Sequence, residues 1–127
     1  MAWRTLSLAA LLALQPLASQ AAVSSNDFLV TTTADLVDLC SVGASDEMHT
    51  AAIHFCHGFV AGAYQFYVAE RGVAGAPQLY CLPNPSPTRD QAISMFIEWA
   101  RSNPQYMSDL PVNSLMRFAT ATWPCKK

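Results

Sequence analysis

Four cysteines constrain the fold of this chain more than any other feature: Cys40, Cys56, Cys81 and Cys125. The chain has only 127 residues, and an exported chain of that size typically uses disulfides to support a small hydrophobic core. No two of the cysteines have the C-x-x-C spacing of zinc ribbons and thioredoxin-type redox sites. We therefore expect two disulfides and neither a metal site nor a redox site.

The first 21 residues have the pattern of a cleavable signal peptide. Arg4 precedes an apolar run over residues 6–14, which is too short to cross a bilayer because that takes about 20 residues. Ser19 and Ala21 are the small residues of a cleavage site, so we predict a cut after Ala21. Residues 22–127 then form one domain in the periplasm, with no membrane segment. An uncleaved membrane anchor is the alternative.

Apolar periodicity predicts an all-α fold, a small bundle of about four helices, because no segment alternates apolar and polar residues as a half-buried strand does. The predicted helices cover residues 34–40 and 46–71, then residue 88 to just before residue 104, and residue 108 to about residue 123. Ser45 is the expected N-cap of the second helix, and Gly72 is expected to end it in the left-handed conformation. Thr88 and Gln91 form a capping box for the third.

Residues 73–87 are expected to form an ordered loop. They contain Gly75 and four of the eight prolines of the chain, a composition that excludes a long helix or a central strand.

In the preceding helix several residues lack bulk, which predicts that a neighbouring helix approaches closely there. These residues are Ala51, Gly58, Gly62 and Ala69.

Four cysteines allow three pairings, and geometry favours Cys40 with Cys125 and Cys56 with Cys81. Cys40 and Cys125 lie near the two ends of the domain, and the return from Gly72 is long enough for Cys81 to reach Cys56. A bond between Cys40 and Cys56 is disfavoured because a short connection would leave Cys56 about three turns above the foot of its helix.

The sequence offers weak candidates for chemistry. His54 and His57 share a helix face, but they lack the glutamate and the i, i+4 spacing of a zincin motif. Cys56 and His57 are helix neighbours that point about 100° apart, and export oxidises the thiol, so they are not expected to form a nucleophile and base. No G-x-S-x-G motif is present. We expect a non-catalytic protein without a cofactor.

The charge of the chain does not favour nucleic-acid binding. The formal net charge is −2, and losing Arg4 with the signal peptide leaves six basic against nine acidic residues, a charge of −3. A phosphate-binding surface needs clustered Lys and Arg, whereas the only adjacent pair is Lys126 and Lys127. Most aromatic residues are expected in the core, with Tyr64, Tyr67 and Tyr80 as candidates for a binding face.

Three cysteine-centred segments together resemble a known family. They are Phe55-Cys56-His57-Gly58-Phe59-Val60-Ala61-Gly62, Tyr80-Cys81-Leu82-Pro83 and Trp123-Pro124-Cys125, with a Thr88 to Gln91 helix start and a helix that ends in Asn103-Pro104. In this order they resemble the Rap/Tai family of type VI secretion amidase immunity proteins. The resemblance covers most of residues 22–127, and its most specific parts are C-x-G-x-x-x-G, C-x-P and the terminal aromatic-Pro-Cys.

The resemblance implies a helical, disulfide-bonded periplasmic protein that binds a peptidoglycan amidase effector and occludes its active site. Residues that contact an effector vary within such a family, so none is carried over. Our own expectation places the contact on the loop over residues 73–87 and the adjoining helix ends, with Tyr80, Leu82 and Asn84 as candidate partner-binding residues. The sequence leaves open whether the protein forms a homodimer.

Other functions are compatible with these features. One is a periplasmic acid-stress chaperone of the HdeA kind, although that class is rich in charge and only 13% of these residues are charged. Another is a general exported binding domain that has no toxin partner. The third is an enzyme that uses the histidines of the second helix, His49, His54 and His57, as a metal site.

Overall fold

The computed structural model describes residues 22–126, so the predicted signal peptide lies outside the described residues. Four α-helices and two short 3-10 helices, with no strand, make up the secondary structure of this part of the chain, which confirms the predicted all-α fold. The helices are α1 (Thr33–Cys40), α2 (His49–Arg71), α3 (Arg89–Ser102) and α4 (Pro111–Thr122), and the 3-10 helices are Asp27–Leu29 and Pro104–Tyr106.

Capping boxes begin two of the helices. Thr88 and Gln91 form the predicted box of α3: the Thr88 amide donates to Gln91 Oε1 at 2.8 Å, and the Gln91 amide donates to Thr88 Oγ1 at 3.2 Å. Thr32 and Asp35 form a second box at α1, where the Thr32 amide donates to Asp35 Oδ2 at 2.9 Å. Each box satisfies backbone amides that a helix start leaves free.

The ends of α2 differ from the prediction. The helix begins at His49, three residues later than expected, and Ser45 is not its N-cap. Asp46 Oδ1 instead accepts from the Met48 amide at 2.8 Å, which holds a turn before the helix. At the other end Gly72 has φ −68°, so it is right-handed, and Gly75 with φ +84° is the left-handed glycine of the loop.

The main core lies where α1 packs against the other three helices. Its most buried large side chains are Leu36 and Val37 from α1 and Phe96 from α3, with Leu115 and Phe118 from α4 around them. A second cluster forms where the start of the domain meets α1 and α2, and it contains Val23, Leu39 and Ala52. The short α1 is therefore the central element of the bundle.

The disulfides join Cys40 to Cys56 and Cys81 to Cys125, with Cα–Cα distances of 5.2 and 4.9 Å. Two disulfides were expected, but the favoured pairing of Cys40 with Cys125 and Cys56 with Cys81 is wrong. Because α2 begins at His49, Cys56 is only about two turns, or about 10 Å, above its start. The connection over residues 41–48 is long enough to place α2 beside α1, so Cys56 lies next to Cys40.

The small residues of α2 do not serve helix packing as predicted. A Cβ atom added to Gly58 or Gly62 would meet no heavy atom within 4 Å outside the helix. Ala51 and Ala69 are exposed as well. This face of α2 is therefore open.

No helix within residues 22–126 is both long and apolar enough to cross a membrane.

Candidate partner-binding surface

The C-terminal part of α2 extends beyond the core. Between residues 64 and 71 only Tyr67 is buried, whereas Tyr64 and Val68 are exposed and Phe66 leaves 67% of its surface in solvent. Apolar side chains on a helix end normally pack against something, and a group of them in solvent commonly marks an interaction site.

The first part of the loop after α2 is held by this same helix. Tyr67 stacks on Tyr80 with ring centroids 4.6 Å apart, and the Tyr67 hydroxyl accepts a hydrogen bond from the Leu79 amide at 3.0 Å. Arg71 Nη2 donates to Gln78 Oε1 at 3.1 Å, which adds a contact between the helix and the loop. The loop therefore has a defined position relative to α2.

A second anchor ties the loop to the end of the domain. The Cys81–Cys125 disulfide is accompanied by a hydrogen bond from the Cys81 amide to the Trp123 carbonyl at 2.8 Å. Tyr80 also lies near the Trp123 ring, with centroids 6.3 Å apart. These contacts fix the base of residues 82–86, all of which are exposed. The exposed turn is thus presented from a rigid base.

The three candidate contact residues differ in exposure. Tyr80 is only 6% exposed, so it supports the loop from below and offers little surface to a partner. Burial, and then the neighbouring Tyr67 and Tyr64, raise the pKa of Tyr80 to about 12, so its hydroxyl stays protonated. Leu82 is 36% exposed and Asn84 lies in the exposed turn, so both are accessible, and their contact with a partner stays a prediction.

We call the exposed apolar residues of the helix end and the loop the projecting surface: Tyr64, Phe66, Val68, Val73, Leu79 and Leu82. Residues two apart on a helix do not face the same way, so Phe66 lies on a different side of α2 from Tyr64 and Val68. The apolar periodicity that predicts α2 includes Phe66, which the structure leaves in solvent. Val73 and Leu79 lie in the loop predicted to contact a partner, although neither is a named candidate. The signal that was available is the length of α2, since a helix of 23 residues is longer than its short neighbours can cover.

Beside the projecting surface lies a cleft of about 430 Å³ between α2, α3 and α4. Its lining includes Val60 and Tyr64 of α2, Phe96 of α3 and Leu82 of the loop. Arg89 is the one basic residue in its lining. The cleft extends the apolar surface inward and is wide enough to receive a side chain from a partner.

The histidines of α2 do not form a metal site within the described residues. His57 Nε2 lies 3.3 Å from Asp90 Oδ1 of α3, and His54 is exposed. No group of three or more His, Cys, Asp or Glu side chains among residues 22–126 is placed to hold a metal ion. The contact of His57 with Asp90 links α2 to the start of α3.

Comparison with known proteins identifies a family. The family model described as Rap1a immunity proteins matches residues 32–125, which include all four cysteines, α1 to α4 and the projecting surface. Neither the curated proteins nor the solved structures contain a match. The match agrees with the resemblance inferred from the three cysteine-centred segments.

Proposed function

Because the chain belongs to the Rap1a immunity protein family, we propose that it binds a toxic effector protein, a peptidoglycan amidase, and blocks its active site. The observation that carries this proposal is the family match over residues 32–125. The exposed apolar residues around the anchored loop support it, because a protein inhibitor needs an accessible apolar surface for its target.

Inhibition in this proposal is steric. An immunity protein that covers a catalytic cleft excludes substrate without contributing a catalytic group of its own. Apolar and aromatic residues at the centre of such an interface supply most of the binding energy, and Phe66, Tyr64 and Leu82 have that character. We propose Asn84 as a polar contact at the exposed turn.

The two anchors of the loop favour tight binding. A loop that is already held in its bound conformation loses less conformational freedom when it binds than a mobile loop does. Tyr67 and the Cys81–Cys125 disulfide provide that restraint here. The disulfides therefore contribute to affinity through the shape of the surface.

We propose that the protein acts in the periplasm. The disulfides require an oxidising compartment, and a peptidoglycan amidase acts on the cell wall, which lies in the same compartment in Gram-negative bacteria. Export would follow from the signal peptide pattern of residues 1–21, with cleavage after Ala21.

Growth protection tests the proposal. The full chain and a panel of periplasm-directed amidase effectors, including any encoded beside it, would be co-expressed in a susceptible bacterium. We expect one effector to lose its toxicity and to co-purify with the protein. If no effector is bound and none is neutralised, the immunity function is wrong. Light scattering of the free protein would report whether it is a homodimer.

Charge substitutions locate the surface. Phe66→Asp and Leu82→Asp should each weaken effector binding at least tenfold, because they place a charge in an apolar contact. Leu29→Asp is the matched control, since Leu29 is an exposed apolar residue outside the projecting surface. Equal weakening by all three variants, or by none, would contradict the assignment of the projecting surface.

A further inference from the structure

The start of the described chain is fixed to the core. Val23 is only 8% exposed and packs with Leu39 and Ala52 in the second core cluster. Its amide donates a hydrogen bond to Asp46 Oδ2 at 3.2 Å. Ser24 is held as well, because its amide donates to Asp27 Oδ2. The backbone just after the predicted cleavage position thus has a defined place.

Ala22 therefore lies close to a carboxylate. Consecutive residues of an extended chain are at most about 3.6 Å apart, so the Ala22 nitrogen is within about 7 Å of Asp46 Oδ2. Ala22 lies at the edge of an open depression that is also lined by Asp38 of α1, Asp46 and Arg101 of α3. The side chains around Ala22 thus include two acids and one base.

The acids of this depression favour a further cation. Burial raises the pKa of the Asp38 carboxyl, and the nearby Asp27 and Asp35 raise it further. Arg101 acts to lower the pKa of Asp38, but its effect is smaller than those of burial, Asp27 and Asp35. A positive charge added beside Asp38 and Asp46 would therefore be attracted to both carboxylates.

We propose that cleavage after Ala21 supplies this cation, and that the new α-ammonium group of Ala22 forms an ion pair with Asp46 and Asp38. Hydrolysis of the peptide bond consumes one water molecule and leaves a carboxylate on Ala21 and an ammonium group on Ala22. In the uncleaved chain the same nitrogen is a neutral amide. This inference rests on the proposed export and cleavage, and it does not depend on which effector is bound.

The ion pair would make signal-peptide removal a step in folding as well as in release. Val23 and Asp46 join the start of the domain to the connection between α1 and α2, the helices that the Cys40–Cys56 disulfide holds together. The processed amino terminus would strengthen this junction only after the signal peptide has been removed.

A thermodynamic cycle tests the ion pair in the exported protein. The full chain is expressed with its signal peptide, and the protein purified from the periplasm is compared with a form that has one serine inserted between Ala21 and Ala22. The insertion moves the ammonium group away by about 3.5 Å per residue. Both forms are made with Asp46 and with Asp46→Asn, and the mass of each protein confirms where it begins.

We expect the inserted serine to lower the urea midpoint at pH 6.5 when Asp46 is present and to have little effect with Asp46→Asn. Asp46→Asn weakens the hydrogen bonds to Val23 and Met48 by itself, and the cycle removes that contribution. The ion pair is present while the ammonium is protonated and is lost as pH rises through its pKa, so the effect should vanish by about pH 10.

Glu47→Gln is the matched control, because Glu47 is exposed, neighbours Asp46 and carries the same charge. It should leave the effect of the insertion unchanged. If Asp46→Asn does not fold, Asp38→Asn takes its place in the cycle. An effect that is the same in every background, or unchanged at pH 10, would overturn the ion pair. A mass showing a different first residue would refute the cleavage position, and growth protection would still test the immunity function separately.

Discussion

Two buried hydroxyl groups tie α1 to α4. Thr33 and Ser114 are both fully buried, and their hydroxyl oxygens are 2.7 Å apart. Thr33 Oγ1 also lies 3.0 Å from the Asp109 carbonyl, and Ser114 Oγ is 3.4 Å from the Tyr106 carbonyl. Buried polar groups are costly unless they are hydrogen-bonded, so each hydroxyl depends on the other.

Thr33→Val should therefore lower the free energy of unfolding by about 1 to 3 kcal/mol, because it keeps the shape and leaves Ser114 without its shortest hydrogen bond. Adding Ser114→Ala should cost less than the sum of the two single changes, since the orphaned group is then removed. Urea unfolding of the four proteins measures this coupling. Strict additivity would show that the two hydroxyls do not interact.

Asp35 connects stability to pH at the start of α1. Burial acts to raise the pKa of its carboxyl, but hydrogen bonds from Thr32 and Thr31 together lower it below the usual value. A lowered pKa means that the contribution to stability is present above the ordinary carboxyl range and is lost as pH falls through the lowered value.

Asp35→Asn should cost about 1 kcal/mol at pH 7 and progressively less below pH 4, where the wild-type carboxylate also becomes protonated. Glu98→Gln, an exposed change on α3, should cost little at any pH. Thermal melts between pH 2 and pH 7 would compare the three proteins. A constant difference between wild type and Asp35→Asn would contradict the linkage.

The capping box of α3 shows what local sequence predicts well. The box of Thr88 and Gln91 was found from sequence because its residue types and spacing carry the whole signal. The start of α2 was misplaced because Ser45 and Asp46 both suit an N-cap. The Asp46 carboxylate instead accepts hydrogen bonds from the Met48 and Val23 amides, and Val23 lies 23 residues away in the sequence.

The pairing of the disulfides divides the domain into two successive covalent loops. Residues 22–71 contain both Cys40 and Cys56, which are bonded to each other. No Lys or Arg precedes Arg71 in this segment, so trypsin does not cut within it. Cys81 and Cys125 fall on either side of Arg89, Arg101 and Arg117, so trypsin separates them into different peptides.

Trypsin digestion without reduction should therefore release residues 22–71 as one peptide that is linked to no other. Residues 72–89 should be linked by a disulfide to residues 118–126. Mass spectrometry before and after reduction distinguishes the alternatives. A single species that joins all three peptides would contradict the observed pairing and leave the two other pairings, since each of them links residues 22–71 to both of the other peptides.

The hydroxyl of Tyr67 restrains the loop. Tyr67→Phe keeps the stack on Tyr80 but removes the acceptor of the Leu79 amide, which should cost about 1 kcal/mol of stability. Effector affinity should fall severalfold, because the loop must then be ordered on binding. Hydrogen exchange at residues 78–82 is the direct measurement. Tyr106→Phe is the control, since Tyr106 stacks on Trp99 and lies outside both this contact and the projecting surface.

The molecule as a whole has few groups that titrate in acid. Charged residues make up only 13% of the chain, and the pKa of Asp35 is lowered whereas the pKa of Asp38 is raised. The raised pKa of Asp38 means that protonation of this group stabilises the fold as pH falls, whereas Asp35 loses its contribution in the same direction. Acid should therefore weaken the fold only modestly.

We expect the far-ultraviolet circular dichroism of the mature protein at pH 3 to keep most of its helical signal, with both disulfides intact. The protein should also fail to suppress aggregation of a client protein at that pH. Loss of the helical signal together with client protection would instead favour an acid-stress chaperone of the HdeA kind.

Sequence predicted the fold class, the helix order and the family, because periodicity, caps and cysteine spacing are local or ordered along the chain. It placed the contact surface on the loop and the adjoining helix ends, but it did not predict that Phe66 is exposed. Whether Phe66 faces the core or solvent depends on how far the neighbouring helices extend along α2, which no residue near Phe66 encodes. Tyr80 was a candidate for a binding face, but it is packed between Tyr67 and Trp123. These are tertiary contacts, which the residues around Tyr80 do not encode.

The successive order of the two disulfides matters for a chain that crosses a membrane from its amino end. On the proposed export route, the bond between Cys40 and Cys56 could form as soon as residue 56 has emerged, while the rest of the chain is still inside the translocation channel. The bond between Cys81 and Cys125 needs the whole chain. Each half can thus be oxidised in the order in which it arrives, without a wrong bond that must later be exchanged.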